Sequence, residues 1–129
     1  MTIIPSTFMA LRIVTGNSTL ALSVHAGFAA LVLIVLVIRL WQVKDGVRRS
    51  AMLLIATVLM TPYLHNYDLA LLLCGALLVA RRLVSMDEPP FYAEFLVITA
   101  WALPQLVILL NTIGIPISPL LILPLLLLA

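Results

Sequence analysis

The stretch Thr61-Pro62-Tyr63-Leu64-His65-Asn66-Tyr67-Asp68 stands between two apolar runs, Ala51–Met60 and Leu69–Ala80. A polar, aromatic octet led by proline is costly inside hydrocarbon. An Asp at the centre of a membrane helix costs about 3 kcal/mol on insertion scales, so such side chains turn toward protein, water or a substrate path. Pro62 has no N–H to donate and disfavours helical geometry at Thr61, so the chain is expected to break here. The break divides 31 residues (50–80) into two helical arms, and any function of the chain is expected at their junction.

The surrounding composition sets the solvent. Of 129 residues, 64% are hydrophobic and 9% are charged, and the mean hydropathy is +1.27. That leaves too little polar surface to cover a water-soluble globule, and the expected fold class is an all-α, polytopic transmembrane bundle. Ser18–Ile38 is free of charge and long enough, at about 31 Å of helix, to cross a hydrocarbon core of about 30 Å. Met1–Ala10 lacks the basic n-region of a signal peptide. Cys74, the one cysteine, excludes an internal disulfide and reads as a small packing residue.

Six of the seven basic residues form two clusters, Arg39, Lys44, Arg48 and Arg49, then Arg81 with Arg82. Basic residues mark the cytoplasmic side. With both clusters inside, residues 50–80 leave and return as a hairpin whose tip, the octet, faces outward. Each arm reaches only about 21 Å, so the tip lies recessed below the outer surface. The expected spans are 18–38, 50–64, 67–80 and 95–110, with a partial apolar segment over 120–129 that reads as lipid-facing. Asp87-Glu88-Pro89-Pro90 reads as a turn and helix start. Pro104 is expected to kink the last full helix, and Asn111–Pro119 to form an outer loop with Gly114, Pro116 and Pro119 as breakers. The unanchored apolar ends, Ile3-Ile4-Pro5-Ser6 and Leu120–Ala129, suggest a fragment of a larger membrane protein.

The octet, the upstream segment Pro5-Ser6-Thr7-Phe8-Met9-Ala10-Leu11-Arg12 with Gly16, and the Arg48-Arg49 pair together resemble the C-terminal part of the bacterial family-87 glycosyltransferases, polytopic enzymes of the GT-C class. The resemblance runs to about Arg82. It implies a GT-C-like fragment in the bacterial inner membrane. It further implies transfer of a hexose, often mannose, from a polyprenyl-phosphate donor to a glycan or glycolipid acceptor at the outer face. In that class the catalytic carboxylate lies in the first extracytoplasmic loop, which nothing here matches. Asp45, Asp87, Glu88 and Glu94 fall on the cytoplasmic side of the expected topology, so Asp68 is the only outward acid. No catalytic residue is therefore expected in this chain, and the base is expected upstream of Met1, in a missing N-terminal part of the same protein.

Glycosyl transfer needs a base for the acceptor hydroxyl, groups that stabilise the departing phosphate, and aromatic rings for sugar faces. The octet offers such groups. His65 suits phosphate or acceptor, Tyr63 and Tyr67 could flank a sugar, Asp68 could orient His65 from three residues on, and Asn66 counts with them as a substrate-binding residue. The competing reading is that His65, Asn66 and Asp68 satisfy one another and the backbone freed by Pro62. Arg12, the one outward basic residue, suits a lipid phosphate or simple headgroup anchoring. His25 and His65 are too few for a haem or metal site, no cofactor is expected, and His25 reads as a helix-packing residue. The basic balance calls for membrane lipids as partners and for no nucleic acid. Beside the enzyme stands a different class, a non-enzymatic membrane subunit or transporter fragment that uses the octet as a helix break.

Overall fold

The computed structural model describes residues 6–63, 65–112 and 118–129. Among these the chain is all-helical without strands. Six helices follow in order, α1 (Thr7–Thr15), α2 (Ser18–Gln42), α3 (Gly46–Met60), α4 (Leu69–Val84), α5 (Ala93–Thr112) and α6 (Ser118–Leu128), with a 3₁₀ turn at Asn66–Asp68 ahead of α4. Leu64 and the loop breakers Gly114 and Pro116 lie outside the described residues, as do the first five residues.

Capping residues explain the boundaries. Ser6 caps α1 by accepting from the Met9 N–H. Gly16 then turns the chain in the left-handed region (φ 66°), where an L side chain is strained. Asn17 follows at once and accepts from Thr19 and Leu20, so α1 and α2 form a tight helical hairpin. Asp45 caps α3 through Val47. The helix therefore begins four residues before the expected 50 and takes Arg48 and Arg49 into its first turns. Likewise α2 runs on through Arg39 to Gln42, and α4 carries Arg81 and Arg82 in its last turn. The link between α2 and α3 shrinks to Val43, Lys44 and Asp45. Basic side chains near a helix C-terminus favour continuation, because they meet its unpaired carbonyls. The α5 helix starts at Ala93 rather than at the Asp87–Pro90 stretch, with Glu94 as its first-turn acid, and it contains Pro104.

The hairpin expected over 50–80 is present: α3 and α4 pack side by side, antiparallel. Buried positions recur at Ala51, Met52, Ile55, Ala56, Val58 and Leu59, and at Leu69, Leu72, Ala76, Val79 and Leu83. Those are the three- and four-residue spacings of one helical face. Gly75 sets the closest approach, since a Cβ there would stand 2.8 Å from Ile55 Cγ1, and Ile55 is fully buried. Gly75→Ala gains helix propensity but overpacks the contact. A net loss of about 1–2 kcal/mol is expected from a melt in detergent. Combined with Ile55→Ala, which removes the clashing carbon, the double variant should lose less than the sum of the single ones.

The α3 helix is central, with α2, α4 and α6 around it, while α5 packs on α4 and α6. The α6 helix departs from its expected lipid-facing role, for Ile122, Leu125 and Leu126 are buried in the core. Cys74 departs the other way and is exposed on α4. The arrangement has two ends. The octet, the start of α2 and the start of α6 lie at one. At the other, Arg39, Arg48 and Arg82 all reach the last residues of α6. Both basic clusters therefore share one end of the bundle. Among the described residues one helix, Ser18–Gln42, is long and apolar enough to cross a membrane.

Candidate functional site

The octet is built at the end of α3. With no N–H at Pro62, the Val58 carbonyl loses its regular donor, and the carbonyls that follow sit at a helix terminus. Thr61 closes α3 by bonding back to the Thr57 carbonyl through its N–H (3.2 Å) and its hydroxyl (2.7 Å). Two residues from elsewhere take the next carbonyls. His25 on α2, 3% exposed, donates from Nε2 to the Met60 carbonyl at 3.1 Å. A carbonyl can only accept, so Nε2 carries the hydrogen. Ser6, also 3% exposed, donates from Oγ to the Pro62 carbonyl while it caps α1. Sequence reasoning placed His25 in helix packing but missed this bond, and it missed Ser6. A serine just before an apolar helical run is a readable N-cap signal for the latter. Among the described residues, Thr7 Oγ1 and His25 Nδ1 are buried without a hydrogen-bond partner.

Beyond Pro62 the side chains of Tyr63, His65 and Tyr67 turn outward. Tyr63 packs on Phe8 of α1 with ring centroids 5.1 Å apart, and stays 56% exposed. Tyr67, 74% exposed, lies stacked on the His65 ring at 5.2 Å and 14°. Asp68 Oδ2 accepts from the His65 backbone N–H at 2.9 Å, and the Asp68 N–H donates to the His65 carbonyl at 3.0 Å, which closes the turn before α4. The expected orientation of the His65 ring by Asp68 is looser than a hydrogen bond. Nδ1 and Oδ2 stand 3.9 Å apart, an ion pair only when the imidazole is protonated and screened by solvent at these exposures. Asn66 opens the 3₁₀ turn.

The structure thus brings His65, Tyr67 and the half-buried Asp68 together, with Tyr63 exposed beside Phe8. Arg12 lies one turn beyond Phe8 on the same face of α1, half-buried, toward the Gly16 corner. The other four acids lie at the arginine end or on the chain beside it: Asp45 faces Arg81 and Arg82, Glu94 faces Leu83 and Val84, and Asp87 and Glu88 follow Ser85. Among the described residues, no group of three or more His, Cys, Asp or Glu side chains is placed to hold a metal ion. Comparison with protein-family models, with curated proteins and with solved structures finds no match to this chain.

Proposed function

We propose that this chain is a multi-pass, GT-C-like unit of the bacterial inner membrane whose octet, facing outward, binds the phosphate and sugar of a polyprenyl-phosphate hexose donor such as the mannose derivative. The observation that carries this reading is a division of labour. His25, Ser6 and Thr61 satisfy the broken end of α3, so the His65 imidazole and the Tyr63 and Tyr67 rings are left for something else. Two of the three features that carry the family resemblance, the segment before Arg12 and the octet, also meet through Ser6–Pro62 and Phe8–Tyr63, while the third, Arg48-Arg49, lies at the other end.

Support for the membrane comes from the surface. Along α2, Leu20, Leu22, Val24, Leu31, Ile34 and Ile38 are exposed, and on α5 Phe95, Ile98 and Trp101 are exposed as well. An apolar face of that extent marks a lipid or partner surface. The clustering of six basic residues at the end opposite the octet orients the bundle by the positive-inside rule.

In the transfer, an acceptor oxygen attacks the anomeric carbon, the bond from that carbon to the phosphate oxygen breaks with its electron pair going to the phosphate, and a base takes the acceptor proton. His65 Nε2–H would donate to the leaving phosphate, with Tyr67 and Tyr63 against the sugar. Asp68 is the only carboxylate at this end, and its Oδ2 is engaged by backbone. Residues 1–129 by themselves are therefore expected to bind donor and not to turn it over, and robust transfer of mannose by the purified chain would overturn that expectation. The helix-break reading draws on the same Asp68 bond, which is a structural one. Direct binding of polyprenyl-phosphate mannose, compared with the unsugared polyprenyl phosphate, decides between them. Preferential retention of the sugar-bearing donor supports the site, and indifference to both removes it.

Orientation is tested separately. In a Cys74→Ser background, Tyr67→Cys should react with an impermeant thiol reagent added outside intact cells, and Lys44→Cys should react only after the membrane is opened. Both positions are exposed and uninvolved in the arginine contacts. The opposite labelling pattern would invert the bundle.

A further inference from the structure

Three guanidinium groups from three helices converge on the last turn of α6. Arg39 Nη2 donates to the Leu127 carbonyl at 2.7 Å, and Arg48 Nε to the Ala129 carbonyl at 2.9 Å. Arg82 Nη1 reaches the carbonyls of Leu128 and Ala129 at 3.1 and 3.3 Å. As a cap this is sufficient, since the final carbonyls of a helix lack partners of their own. As electrostatics it is overcharged. A helix C-terminus offers about half an elementary negative charge, and the Ala129 carboxylate of the 1–129 chain adds one, against three positive ones.

Little protein charge makes up the difference. Among the described residues no arginine stands within 4.0 Å of a side-chain carboxylate; the one side-chain pair at that distance is His65–Asp68. Asp45, the nearest acid, is exposed and holds the Val47 N–H. Arg48 is half-buried and shares the last turn of α6 with Arg39 and Arg82. Arg39 Nε is buried without a partner among the described residues. Arg81 is exposed, and no hydrogen bond ties it to the described residues. An open cleft of about 240 Å³ lies beside the cluster, lined by Asp45, Val47, Arg81, Arg82 and Ser85.

We propose that this cleft binds the phosphate of an anionic phospholipid from the cytoplasmic leaflet, with Arg81 and Arg82 as its ligands and Arg48 adding charge behind them. The proposal rests on the membrane orientation given above. At that depth the available counter-charge is the lipid phosphate, and arginine matches it with paired, planar donors. The site is independent of the octet, at the opposite end of the bundle.

The test uses the full chain, purified in detergent, stripped of lipid and melted with phosphatidylglycerol, phosphatidylcholine or inorganic phosphate. Phosphatidylglycerol should raise the melting midpoint and phosphatidylcholine should not. The variant Arg81→Gln/Arg82→Gln should weaken the apparent affinity about fivefold for each arginine removed, whereas Arg81→Lys/Arg82→Lys should keep most of it. Equal responses to the two lipids, or a phosphatidylglycerol increment unchanged in the glutamine variant, would overturn the site. An equal rise with inorganic phosphate would overturn the lipid as its source. Should the glutamine variant not fold, the wild type decides alone. Its preference for phosphatidylglycerol should vanish at about 0.5 M salt, and persistence there would overturn an electrostatic site. Extraction of membranes with alkaline carbonate separates the two readings. A chain released by it fails the membrane assignment, whereas a chain retained without lipid preference fails only this proposal.

Discussion

His65→Ala is expected to weaken binding of polyprenyl-phosphate mannose by about 10- to 100-fold, the range of a hydrogen bond to a charged group, while the stability of the chain changes by no more than about 0.5 kcal/mol. The two halves of that expectation come from different observations. The imidazole is exposed, hydrogen-bonded to no group among the described residues and stacked on Tyr67, so little folding free energy depends on it. The His65 backbone N–H, which does hold the turn through Asp68, survives the substitution. Asp68→Asn separates the roles further. Asn keeps an oxygen that can accept from the His65 N–H, so the turn is expected to persist, and any loss of binding then reports the carboxylate charge. The measurements are donor affinity and a thermal melt in detergent on the same preparation. Normal affinity with a lowered midpoint would make His65 structural, and the donor site would then have to be abandoned.

The fold was legible where a local rule governs it. The charge-free run after Ser18 announced the long helix, and Pro62 between two apolar arms announced the hairpin, because length and a missing N–H act on neighbouring residues. Boundaries were misread at Arg48-Arg49 and Arg81-Arg82, where charge looked like the end of a helix. Those arginines instead remain helical, and Arg48 and Arg82 reach α6 across 81 and 46 residues of sequence. The same contacts explain why Leu120–Ala129 read as lipid-facing. Nothing within that decapeptide shows that its carbonyls are met by three distant guanidinium groups. At the octet, residue types and exposure could be anticipated from cost in hydrocarbon, but the partners of its backbone could not. His25 lies 35 residues from Met60, and Ser6 lies 56 from Pro62. Long-range satisfaction of a broken helix leaves no periodic trace.

That satisfaction predicts the larger stability effect. His25→Leu keeps an apolar side chain of similar bulk in the α2–α3 contact but removes the donor to the Met60 carbonyl. A carbonyl left buried and unpaired costs about 1–3 kcal/mol in a protein interior, and more where no water can reach it. Ser6→Ala removes both the cap of α1 and the bond to the Pro62 carbonyl, for a further loss of about 1–2 kcal/mol. Because both bonds hold one short piece of backbone, the double variant should depart from additivity. The local signature is as informative as the melt. In His25→Leu, amide exchange should rise over residues 57–69 before it rises in Met52 or Leu72, since the end of α3 loosens while the core beneath stays packed. A melt unchanged by His25→Leu would show that water or the chain itself satisfies Met60. The division of labour that assigns the broken end of α3 to His25 would then fail.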